Sequence, residues 1–66
     1  MGDVGRASAV NFVNFFKQSH LQYIETGKDI RKLKALRRIE KFLKIHPEQE
    51  EYIRTEIKKI EREYHA

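Results

Sequence analysis

The stretch that decides the fold is residues 26–47, TGKDIRKLKALRRIEKFLKIHP. It opens and closes on a helix stop. Thr26-Gly27 ends whatever precedes it, because glycine accepts the left-handed backbone that a helix C-terminus favours. His46-Pro47 ends what lies between, because the residue before a proline is pushed out of the helical region. Between the stops, Leu33, Leu36, Ile39, Phe42 and Leu43, with Ala35, form an apolar face at helical spacing. The spacing predicts a helix over residues 28–45. Thr26 and Asp29 stand at the separation of a capping box, with Asp replacing the usual Glu or Gln.

Upstream, residues 8–25 carry a second amphipathic pattern. Ala9, Phe12, Val13, Phe16, His20, Tyr23 and Ile24 fall on one side of the wheel, and Val10 and Leu21 widen the arc. Asn11, Asn14, Gln18 and Gln22 form the opposite face, polar and uncharged. Downstream, Pro47 suits the first position of a third helix, where a missing N–H costs nothing. Glu48, Glu50 and Glu51 crowd its first turn and complement the positive end of its dipole. Ile53, Ile57, Ile60 and Tyr64 then recur at 4-3-4 spacing, a narrow seam for packing on another helix. The expected architecture is all-α, a small three-helix domain over residues 8–66 with a tight hairpin or corner between helices two and three. Residues 1–7, with Gly2 and Gly5, read as a flexible tail.

A chain of 66 residues lies near the lower limit for independent folding. It contains no Cys, so no disulfide or thiolate metal site supplements the core. Packed helices or self-association are left as the supplements. No apolar run approaches the roughly 20 residues that span a bilayer, and the N-terminus lacks a signal-peptide layout. Met1-Gly2 begins like an acylation site, but Arg6 stands where Ser or Thr is required. The cytoplasm is the expected compartment.

Charge is concentrated. Net charge is +4, yet residues 1–27 are neutral and residues 46–66 carry −2. Residues 28–45 carry eight basic side chains against Asp29 and Glu40, a balance of +6. Arg31, Lys34, Arg37, Arg38, Lys41 and Lys44 fall in one stripe opposite the apolar face, with no carboxylate inside it. Such a strip is the footprint expected for a phosphate backbone. The competing account is a solvated face whose margins pair with Glu50, Glu56, Glu61 or Glu63, each exposed pair contributing roughly 0–1 kcal/mol. Helix three is a poor DNA-recognition helix, since its N-terminal carboxylates would lead toward phosphates. Any nucleic-acid contact therefore falls to helix two, mostly through the backbone.

Catalytic constellations are absent from the pattern. There is no Cys nucleophile and no glycine-rich phosphate loop, and Ser8 and Ser19 lack triad context. His20, His46 and His65 do not have metal-ligand spacing. His20, inside the apolar arc, reads as a hydrogen-bonded packing residue, and His46 as a cap or turn residue. Neither cofactor, metal nor small-molecule substrate is expected.

The sequence thus supports a small non-enzymatic regulatory protein, a homodimer that contacts nucleic acid through Arg31, Lys34, Arg37, Arg38, Lys41 and Lys44. Its rival is a protein-binding adaptor or inhibitor acting through Phe12, Phe15 and Phe16 of helix one. Phe12 and Phe16 also suit the core, whereas Phe15 lies off the main arc. The breadth of that arc is what favours self-association or a groove-filling partner. A membrane-surface role is disfavoured, because helix two needs its apolar face for the core.

Overall fold

The computed structural model describes the backbone of residues 3–65 and the side chains of residues 5–65. Three helices are present: α1 (Asp3–Thr26), α2 (Ile30–Ile45) and α3 (Glu50–Glu63), with a single 3-10 turn, Pro47–Gln49, joining the last two. No strand occurs among the described residues. α1 has 24 residues, about 36 Å of helix, close to the molecule's longest extent of 39 Å. α1 is therefore the spine, and both other helices lie along it.

The core takes one stripe from each helix. Ala9, Val13 and Phe16 of α1 meet Ala35, Ile39 and Phe42 of α2 and Ile53 and Ile60 of α3. The rings of Phe12 and Phe42 tilt together at 4.9 Å between centroids. The α2 and α3 backbones stand farther apart than either stands from α1. A groove of about 350 Å3 runs between them over Leu36, Ile39, Leu43, Ile53 and Ile57. Lys32, near the start of α2, reaches Glu61, near the end of α3, at 3.8 Å. The two helices are thus an antiparallel hairpin, not a corner.

Both helix stops act as the sequence requires. Gly27 adopts φ +76, and its N–H bonds the Tyr23 carbonyl at 2.7 Å. The His46 N–H closes α2 on the Phe42 carbonyl at 2.9 Å. The capping box does not form. Thr26 stays in α1, where its hydroxyl donates to the Gln22 carbonyl at 2.8 Å and accepts from the Lys28 N–H at 3.2 Å. Asp29 occupies the N-cap position of α2 without a side-chain bond.

Of the expected tail over residues 1–7, residues 1 and 2 lie outside the described residues, and from Asp3 onward the chain is helical. Gly5 is buried, and a Cβ there would meet Glu48 Oε2 at 3.1 Å and His46 Nδ1 at 3.2 Å. The missing side chain lets the first turns of α1 dock on the α2–α3 connection. Next to it, Arg6 Nε donates to the buried Gln49 Oε1 at 2.8 Å, and its guanidinium lies 4.1 Å above the Tyr52 ring. Gly5 and Arg6 meet partners more than forty positions away, which local propensity does not register. Leu33 is a second correction. It lies off the buried stripe and is 51% exposed.

Candidate nucleic-acid interface

α2 turns Ala35, Ile39 and Phe42 inward, and the helical period then fixes what faces out. Arg31, Lys34, Arg37, Arg38, Lys41 and Lys44 are all exposed. Among the described residues, none of the six forms a salt bridge. The pairing anticipated at the margins occurs elsewhere: Glu61 binds Lys32, which is outside the stripe, and Glu50 binds Arg54 within α3 at 3.1 Å. Glu56 lies in the seam between α1 and α3 with Val13, Lys17 and Tyr64. Among the described residues, no carboxylate therefore neutralises the stripe.

The stripe does not end at α2. Arg31 Nη1 donates to Gln22 Oε1 of α1 at 3.2 Å, and the Arg38 guanidinium lies 5.3 Å from the Phe15 ring centroid. Arg31 and Arg38 are two helical turns apart and reach the same side of α1. That side carries Ser8, Asn11, Phe15, Gln18 and Gln22, spaced 3-4-3-4, with no charge among them. The two α1 cations turn the other way, Arg6 onto Tyr52 and Lys17 onto Tyr64. Hydroxyl and amide groups on α1 thus flank a continuous basic surface on α2. Sequence reading grouped Asn11, Asn14, Gln18 and Gln22 as one polar face, but Asn14 lies with Val13, Lys17 and Glu56 between α1 and α3. The adjacency of the other three to the stripe was not read. The 3-4-3-4 spacing was the available signal, and only the packing of α1 on α2 joins it to the stripe.

Two clefts open on this surface. One, of about 340 Å3, is lined by Ser8, Asn11, Phe12, Phe15 and Arg38. The other, of about 180 Å3, lies among Ile30, Leu33, Lys34 and Arg37, where Ile30 is 64% exposed.

The aromatic trio divides. Phe16 is fully buried, so it serves the core and is closed to a partner. Phe12 is half-buried against Phe42, and Phe15 is half-buried beneath Arg38. Most of the apolar arc is spent on α2 and α3 within one chain, leaving Val10 and Leu21 partly open.

His20 is buried, stacked on Phe16 and Tyr23. Its Nε2 donates to the Tyr64 carbonyl, tying α1 to the end of α3, and its Nδ1 is buried without a partner. At the start of α3, an open depression of about 560 Å3 is lined by Glu48, Glu50 and Glu51 together with Arg54 and Lys58. The Glu48 carboxyl is held below its ordinary range, first by its own backbone N–H and then by His46. Among the described residues, no three His, Asp or Glu side chains gather as a metal ion would need, and no helix is long and apolar enough to cross a membrane. Comparison with protein families, with curated proteins and with solved structures finds no match to this chain.

Proposed function

We propose that this chain is a small non-enzymatic nucleic-acid-binding protein that holds the phosphate backbone on the outer face of α2. The observation that carries the reading is the freedom of the stripe: six exposed cations, unpaired among the described residues. An unneutralised row of cations raises the local concentration of a polyanion and releases its counterions on binding. Self-association is not required, since one α2 face supplies the whole row.

Salt dependence tests this reading. With about four to six phosphates contacted, the slope of log affinity against log salt should be about −4 to −5 on duplex DNA and about −3 to −4 on a single strand. A flat response, or affinity no tighter than millimolar at physiological salt, removes the proposal.

Ile30 and Leu33 favour a second reading. Both are more than half exposed beside Lys34 and Arg37, a pairing that suits an acidic protein segment with apolar side chains. Such a complex would lose less affinity with salt than a polyanion does, because its apolar contacts are not screened. Leu33→Ser would weaken it while leaving nucleic-acid affinity unchanged.

A further inference from the structure

We infer that the cleft beside Phe15 receives an unstacked nucleobase, so that the preferred ligand is single-stranded nucleic acid with its phosphates on the α2 stripe. The inference rests on the phosphate-binding reading above and names what the same surface selects.

The cleft joins three kinds of group that a nucleotide needs. Phe15 lines the cleft with a partly exposed ring, and stacking on an aromatic ring tolerates any base. Asn11 and Ser8 line the same cleft and bring an amide and a hydroxyl, each able both to donate and to accept along a base edge. Arg38 stands over the Phe15 ring and belongs at once to the cleft and to the stripe. A phosphate held by Arg38 therefore leaves its own base beside Phe15. The volume of about 340 Å3 is at the lower end of small-molecule sites, a scale suited to one base.

The neighbouring groups point the same way. Gln18 and Gln22 continue the uncharged edge of α1 for two more turns, with Arg31 bound to Gln22. A strand lying along the seam would have cations on one side and amides on the other. A base locked in a duplex cannot reach Phe15, whereas a splayed base in a single strand can. Charge complementarity supplies the occupant: the cleft opens beside a row of cations and has no carboxylate in its lining.

The chain contains no Trp, so Phe15→Trp installs a single reporter in the cleft and keeps a stacking surface. The probes are an oligodeoxyadenylate, an abasic deoxyribose-phosphate strand of equal length and charge, and a duplex of that length. For the native chain, the base-bearing strand should bind about tenfold more tightly than the abasic one. Phe15→Leu should remove that difference and leave abasic affinity unchanged. In Phe15→Trp, the oligodeoxyadenylate should quench indole fluorescence and the abasic strand should not. The Trp readout stands even where Phe15→Leu perturbs the fold. Equal affinity for the two strands with a steep salt slope overturns the base cleft while the phosphate reading survives. Tighter binding of the duplex without quenching does the same. Failure of every probe to bind removes both.

Discussion

Phe16 and Phe15 are adjacent in sequence, and the step of about 100° between them on the helix turns one into the core and the other toward the surface. Phe16 has no exposed surface, so truncating it leaves a cavity that the three helices cannot close. Phe→Ala at such a site costs about 3–5 kcal/mol. A chain of this length has roughly 3–10 kcal/mol of stability in all. Phe16→Ala should therefore leave little helix in far-UV circular dichroism, whereas Phe16→Leu should remain folded. Phe15→Ala, removing a half-buried ring, should lower the urea midpoint only modestly. Comparable losses at the two positions would contradict the division between core and surface. The core role was legible from the helical period. The role of Phe15 was not, because it depends on Arg38, twenty-three positions away and on another helix.

At the scale of elements, the turns are what sequence specifies best, since their chemistry is local. Gly27 isolates one such effect. A Cβ there meets nothing within 4 Å, so the penalty of Gly27→Ala is purely the left-handed backbone, about 1–2 kcal/mol. Thermal or urea unfolding should show that loss, and Gly27→Asn should recover part of it, because Asn tolerates this conformation better. An unchanged midpoint in Gly27→Ala would mean that α1 can end without the positive φ. The capping box shows the limit of local signals. Its two residues have the right spacing, but Thr26 is claimed by α1 before α2 begins. The start of α1 escaped notice for the opposite reason. Two glycines lower local helix propensity, and Gly5 earns its place only against His46 and Glu48.

At the scale of the whole molecule, charge separation is the main feature. The α2 stripe faces outward on one side, and the acidic turn of Glu48, Glu50 and Glu51 lies elsewhere. Lys34→Glu with Lys41→Glu places two carboxylates inside the stripe without touching a buried residue. The double variant should keep the helical spectrum and melting behaviour of the native chain and lose nearly all nucleic-acid affinity. The salt slope should flatten with it, since fewer counterions are displaced. Retained affinity would reduce the stripe to a solvated face. The existence of the stripe was plain in the sequence. Its freedom from pairing with α3 carboxylates at the margins was not, because Glu61 and Glu56 had first to be located on other faces by the packing of α3.

Because α1 is the spine, the order in which contacts form is constrained. α2 and α3 are joined by one short turn, yet their backbones stay apart and each finds its main partner in α1. The early hairpin that so short a connection invites would bury little. The hairpin that can form early is α1 with α2, joined by residues 27–29. α3 then closes through pairings of long sequence separation, such as Arg6 with Gln49 and His20 with Tyr64. Stopped-flow refolding should accordingly be a single exponential with no burst phase. Val13→Ala on α1 should slow refolding more than Ile57→Val on the α2–α3 groove, whose effect should appear mainly in the unfolding rate.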